Sequence, residues 1–317
     1  MIYQMSEIGL IFATQGSELS FHAMAAREVA PDLEISIEPH HRFGEVIRAS
    51  RNTIPGLGVI AISTVAGTVE DSAKEIVRKR PSALPPVVAR VDVPIELSLI
   101  GSFEQSIEDL DRRGIRCLGQ KPAIEQSRAF INEFMPWVKI QYRGESTAAV
   151  KEALDKKSPD YMAVGPRHCA EPLGGVIIGP GQINPESSTT SFYVLQRDPR
   201  MQLLPADPAK TTPRTVVSLA HPEGEGEFDK CLDIADRMAI KIGRFIPFDI
   251  GDFTKHNAEL RRGGGIFELE HDMYDEELTE FCARINGLVG NDGHEGPFNT
   301  RKLGRYDWYP EEPIYLR

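Results

Sequence analysis

Short apolar runs alternate with amphipathic segments through the first 195 residues, and this alternation limits the possible folds more than any other feature of the chain. Ile8 to Thr14 (IGLIFAT) and Gly56 to Ser63 (GLGVIAIS) are apolar runs of strand length, while LEISIEP alternates with period two. SFHAMAAREVA, FGEVIRASRN and VEDSAKEIVRKR carry apolar residues at helical spacing, the first with Ser20 placed as its N-cap. A βαβα order requires crossover connections, so the strands should form an open, largely parallel sheet. Such sheets bind ligands beyond the carboxyl ends of their strands, beside helix N-termini.

A second unit of the same kind follows the Pro-rich PSALPPV. It reads as strand VDVPIELSLIG, helix FEQSIEDLDRRG, strand IRCLG, helix AIEQSRAFINEFM, strand VKIQYR, helix STAAVKEALDKK and strand YMAVG. Two α/β lobes in tandem imply a cleft between them. The segment ESSTTSFYVL then sets three hydroxyls, Thr189, Thr190 and Ser191, directly before a strand-like run from Phe192 to Leu195. If that strand returns to the first lobe, its hydroxyls stand in the cleft; the plain structural alternative is a Ser/Thr turn entering a buried strand. The expected organisation is a catalytic region over 1–196, with lobe 1 about 1–86 plus 180–196 and lobe 2 about 87–179. A proline-rich, aperiodic linker over 197–214 follows. The remainder, 215–317, has the βαββαβ order of ferredoxin-like domains, which pair side by side.

The charge balance, 36 basic against 47 acidic residues for a net −11, argues against a nucleic-acid partner, since phosphate binding relies on basic surface and no Lys/Arg-rich run occurs. No apolar stretch approaches the roughly 20 residues of a membrane span. The opening MIYQMSEIGLIFATQGS lacks a basic n-region and cleavage pattern, so a cytoplasmic protein is expected. Cys117, Cys169, Cys231 and Cys282 are widely spaced without C-x-x-C, and the eight histidines show no metal-ligand spacing, His40 and His41 reading as a solvated pair before a helix. Neither a metal nor a disulfide framework is indicated.

With the elements placed, the chain resembles the prephenate dehydratase family across nearly its whole length. The resemblance rests on ATQGSELSFHA after the first strand, ISTVAGTV (Ile62 to Val69), ESTAAV (Glu145 to Val150), Thr190-Ser191-Phe192 at a strand mouth, and KLGRYDWYP (Lys302 to Pro310). It implies a two-lobed region of the type II periplasmic-binding-protein kind, followed by a ferredoxin-like ACT regulatory domain. The implied reaction removes the ring hydroxyl and a carboxylate of prephenate together, giving phenylpyruvate, carbon dioxide and water without a cofactor. ACT domains imply a homodimer or tetramer. The chain has no segment to spare for the all-helical chorismate mutase domain fused to some relatives, so mutase activity is not expected.

The resemblance makes Thr190 the hydroxyl that assists departure of the ring hydroxide. Ser191 stands where the family has an arginine, Ile62-Ser63-Thr64 where it has Glu-Asn-Ser, and Gln120-Lys121-Pro122 where it has Ser-His-Pro. The expected substrate contacts at the strand mouths are Ser63, Thr64, Ser191 and Phe192. Backbone amides at helix starts near Ser17, Thr68, Ser146 and Thr147 could hold carboxylates, N-capping being the alternative for the last two. Lys121 and Arg167, with Arg128 and His168 beside them, are the cations available to replace the missing guanidinium, each otherwise a solvated surface charge. In the C-terminal part, HPEGEGEFDKCL and RFIPFDIGDF replace the Gly-Ala-Leu and Glu-Ser-Arg-Pro segments of phenylalanine-sensing relatives. Two other readings share this fold: an enzyme of altered outcome, such as non-aromatising decarboxylation, and a non-catalytic metabolite sensor.

Overall fold

A computed structural model of the chain describes residues 10–31, 33–52, 56–65, 67–78, 84–110, 114–197, 203–204, 212–222, 227–249, 262–270, 275–286, 299–308 and 315–316. The elements run β1 (Leu10–Gln15), α1 (Phe21–Val29), β2 (Ile35–His40), α2 (Phe43–Asn52), β3 (Gly56–Thr64), β4 (Gly67–Thr68), α3 (Glu70–Arg78) and β5 (Val87–Pro94). There follow β6 (Leu97–Gly101), β7 (Arg116–Gln120), α4 (Lys121–Gln126), α5 (Arg128–Phe134), β8 (Lys139–Arg143), α6 (Ser146–Asp155), β9 (Tyr161–Pro166), β10 (Val176–Ile178) and β11 (Thr189–Gln196). The last part contains β12 (Leu203–Leu204), β13 (Thr212–Pro222), α7 (Glu227–Arg237), β14 (Ile242–Asp249), β15 (Arg262–Leu269), α8 (Asp275–Asn286), β16 (Asn299–Trp308) and β17 (Tyr315–Leu316). Ser20 caps α1 as expected, its hydroxyl accepting from the Ala23 amide at 3.2 Å.

The two α/β lobes form separate sheets. The second has the order β10-β6-β9-β7-β8, with β7 parallel to both β8 and β9. The first is part of a larger sheet, β14-β15-β13-β16-β5-β11-β3-β1-β2, in which β1 runs parallel to β2 and β3 while β11 returns antiparallel between β3 and β5. The C-terminal part keeps the expected βαββαβ order, its strands arranged β14-β15-β13-β16. It joins the first lobe where β16 meets β5 at Gly304 and Val87.

Strand alternation explains how these parts share a core. On β13, β14 and β15, Val217, Phe245 and Phe267 pack with α7 and α8, whereas Val216, Ile246 and Ile266 point the other way into the cluster of Ile60, Ile62, Val87, Tyr193 and Leu195. One face of the C-terminal strands thus shares a core with the first lobe, and β14 reaches β4, where the Thr68 hydroxyl donates to the Pro247 carbonyl. Each large apolar side chain buried in this way contributes roughly 1.5–3 kcal/mol.

Four expectations change. VDVPIELSLIG is two strands in different sheets, so β5 belongs to the first lobe and the crossing falls beyond residue 94 instead of at 86/87. Pro94 ends β5, and Asn184 ties the crossing, accepting from the Leu97 amide (2.8 Å) and donating to the Ile95 carbonyl (2.7 Å). The helix expected over FEQSIEDLDRRG does not form at residues 103–110, where Ser106 hydrogen-bonds both the carboxylate (2.7 Å) and amide (3.2 Å) of Asp109 and offers the backbone a turn instead. AIEQSRAFINEFM is split at Ser127 into α4 and α5. Within the expected linker, β12 pairs with β17, and β13 already starts at Thr212. Residues 198–202 and 205–211 of that linker lie outside the described residues, as do 81–83, 223–226, 250–253 and the last two residues of KLGRYDWYP.

Candidate functional site

The hydroxyl run reaches the first lobe. β11 sits between β3 and β5 in a register that sets Thr190 opposite Thr64 and Val93, and Ser191 opposite Ser63 and Asp92. A register shift between Ser191 and Phe192 leaves Ile62 as an extra residue on β3, a bulge of the kind that re-aims neighbouring side chains. Thr190 is 6% exposed, and among the described residues its hydroxyl has no hydrogen-bond partner. Alternation places Thr190 on the face of Phe192, which packs edge-on to His22 with centroids 5.0 Å apart. His22 Nε2 accepts from the Ala61 amide at 3.3 Å, and burial lowers its pKa to about 3, so the ring is neutral.

The opposite face carries Ser191 and Tyr193, and here the C-terminal part contributes. Arg244 of β14 donates through Nη1 to Ser191 Oγ at 2.8 Å and through Nη2 to Ser63 Oγ at 2.6 Å. It faces this way because β14 has its own register shift, between Ile242 and Arg244, that leaves Gly243 unpaired. Ser191 in turn bonds Asp92, which accepts from Arg90 Nε (3.1 Å) and Nη2 (2.7 Å). Burial works to raise the Asp92 pKa, but the Arg90 bonds and charge, the Ser191 bond and the Arg244 charge outweigh it and hold the carboxyl below its ordinary value. Arg90 Nη1 also reaches the fully buried Glu268 of β15, whose other oxygen accepts from Tyr193 Oη at 2.7 Å.

The lobes meet on the helix side of the cleft. Gly16, at φ +84°, turns the chain after β1 and points the Ser17 amide across to the second lobe, where Glu145 Oε1 accepts from Ser17 N (3.1 Å) and Oγ (3.4 Å). An amide expected to hold a substrate carboxylate therefore holds one of the chain's own. Nearby, the Leu19 carbonyl lies 2.8 Å from His168 Nε2 and 3.2 Å from Cys169 Sγ, which in turn is 3.9 Å from Thr147 Oγ1. Burial lowers the His168 pKa and raises that of Cys169 to about 11, so both are neutral near pH 7.

The other expected contacts scatter. Neither Ser146 nor Thr147 caps α6, whose N-cap residue is Glu145 without a side-chain cap bond; Ser146 Oγ instead donates to Gln120 Oε1 at 3.1 Å. Thr64 Oγ1 donates to the Gly67 carbonyl at 3.3 Å, closing its own turn, and Thr68 faces β14. Lys121 is exposed at the start of α4. Arg167 pairs with Glu96 at 3.5 Å, both about half exposed, and Arg128 pairs with Glu125 and Tyr142. Of the arginines, the guanidinium bonded to Ser191 is thus one that sequence reasoning passed over. The available signal was an arginine two residues from Ile246, directly after a glycine, inside the largely apolar stretch IGRFIPF.

The family model for prephenate dehydratase matches residues 12–200. The chain belongs to the prephenate dehydratase family. Solved structures agree on the fold. Prephenate dehydratase from Arthrobacter aurescens, solved with L-Phe, is 15% identical, with a TM-score of 0.69 and coverage of 97% of this chain and 93% of that one. The enzyme of Staphylococcus aureus subsp. aureus Mu50 is 16% identical, with a TM-score of 0.61 over 94% and 100%. GqqA, described as a novel type of quorum quenching acylase, is 18% identical, with a TM-score of 0.66 over 95% and 98%. No curated protein matched. Within the prephenate dehydratase family this is a divergent member.

Proposed function

We propose that the chain is a dehydratase-type carbon–oxygen lyase of L-phenylalanine biosynthesis, converting prephenate and a proton to phenylpyruvate, carbon dioxide and water in the cytoplasm. The observation that carries this reading is Thr190, buried at the start of β11 with its hydroxyl unpartnered among the described residues. Aromatisation drives the reaction, so the protein has to orient a dianion, exclude water and offer a proton to the departing hydroxide. Ser63 and Ser191 lie at the same strand ends on the other face of the sheet, and the Ser17 amide stands ready for an anion that displaces Glu145. The βαββαβ part is read as an ACT regulatory domain that pairs copies into a dimer or tetramer. The L-Phe bound to the Arthrobacter aurescens enzyme makes that amino acid the first effector to try.

Incubation with prephenate, followed by ultraviolet detection of phenylpyruvate and mass analysis of all products, tests the reading. Phenylpyruvate formation supports it, and carbon dioxide release with the ring hydroxyl retained would establish the altered-outcome enzyme. A second reading, acylase chemistry, draws on the likeness to GqqA; hydrolysis of N-acyl substrates with prephenate untouched would favour it. Binding without turnover of either substrate leaves the sensor.

A further inference from the structure

Arg244 is placed where a ligand at the strand ends can use it. It projects from the C-terminal part to Ser63 and Ser191, next to Thr64 and Thr190 in their strands but on the other face of the sheet, and it is only partly buried. Its two bonds there go to neutral hydroxyls, which orient a guanidinium without neutralising it. The carboxylate closest to it in the network, Asp92, already accepts two bonds from Arg90, and Glu268 is held by Arg90 and Tyr193. Five N–H donors in a planar fork, two of them on hydroxyls, leave donors for a bidentate carboxylate. Both bulges favour this geometry: the unpaired Gly243 turns Arg244 toward the first lobe, and the extra Ile62 sets Ser63 beside Ser191.

We infer that Arg244 is a substrate-binding residue, a guanidinium supplied by the C-terminal domain to hold a carboxylate of the substrate at the mouth of β11. This rests on the dehydratase reading for the identity of that carboxylate, but the residue and its direction follow from the contacts alone. It makes the site incomplete without the C-terminal domain. Ser191 is small enough to admit the guanidinium, and a longer side chain there would occupy the same space.

Calorimetry with prephenate on the full chain tests this with three variants, each accompanied by thermal unfolding. Arg244→Ser should weaken binding by about 30-fold or more, as loss of one partner of a desolvated charged hydrogen bond does. Arg244→Lys keeps the charge and the docking of the domain but not the fork, and should weaken binding about tenfold with the melting temperature held. Moving the guanidinium, Ser191→Arg with Arg244→Ser, should recover most of the lost affinity. Equal affinity in wild type and Arg244→Ser overturns the inference. So does a loss that follows unfolding in Arg244→Ser while Arg244→Lys binds normally, which makes Arg244 a docking residue. If wild type itself does not bind prephenate, the dehydratase reading fails first and the carboxylate assigned to Arg244 goes with it; binding by wild type and Arg244→Ser alike leaves the reading standing and removes only Arg244.

Discussion

A hydroxyl can assist a departing hydroxide only if its own hydrogen bond is free to be given, and Thr190 meets that condition among the described residues. Thr190→Ala should abolish phenylpyruvate formation while thermal unfolding stays within a few degrees of wild type; undiminished turnover would place the chemistry elsewhere. His22 gives a second test. Its folded pKa of about 3 lies below the unfolded 6.5, so its contribution to stability is fully present above pH 6.5 and declines as pH falls toward 3. The shift corresponds to about 5 kcal/mol at most. His22→Gln, which can still accept from the Ala61 amide, should flatten the loss of stability between pH 6.5 and 4 in denaturant titrations; an unchanged slope would assign acid sensitivity to other groups. The place of Thr190 at the start of a buried strand was legible because three hydroxyls before an apolar run are a local pattern. The contacts of Arg244 with Ser63 and Ser191 were not, since these residues are distant in sequence and meet only through folding.

At the scale of elements, period-two and helical patterns located most strands and helices because burial of one face depends on nearby residues alone. The same patterns could not divide VDVPIELSLIG between two sheets, since both halves are apolar and Asn184, which ties the crossing, is distant in sequence. The turn at residues 103–110 escaped for a related reason: its apolar spacing is helical, but Ser106 and Asp109 bond each other. The placement of α6 depends on a close approach to β9, where a Cβ on Gly165 would come within 2.2 Å of Val150 Cγ2. Gly165→Ala should therefore cost about 1–3 kcal/mol in urea unfolding and, by shifting the start of α6, loosen the Glu145 contact with Ser17. A variant of unchanged stability would mean that α6 moves without strain.

For the molecule as a whole, the two lobes and the ferredoxin-like order were readable from element sequence, but their joining was not. Nothing local indicates that β16 pairs with β5, or that Val216, Ile246 and Ile266 complete a core begun by Tyr193 and Leu195. A chain ending at residue 197 should accordingly bind a hydrophobic dye and aggregate, whereas the full chain should not; a soluble, cooperatively folding fragment would show that the lobes need no cover.

The pairing of β5 with β16 also has a temporal side. During synthesis β5 leaves the ribosome long before β16 exists, so the nascent first lobe waits with an open strand edge and an uncovered apolar face until β13 to β16 have been added. Its maturation waits on the synthesis of β16, and a chain interrupted before that strand keeps its sticky surface.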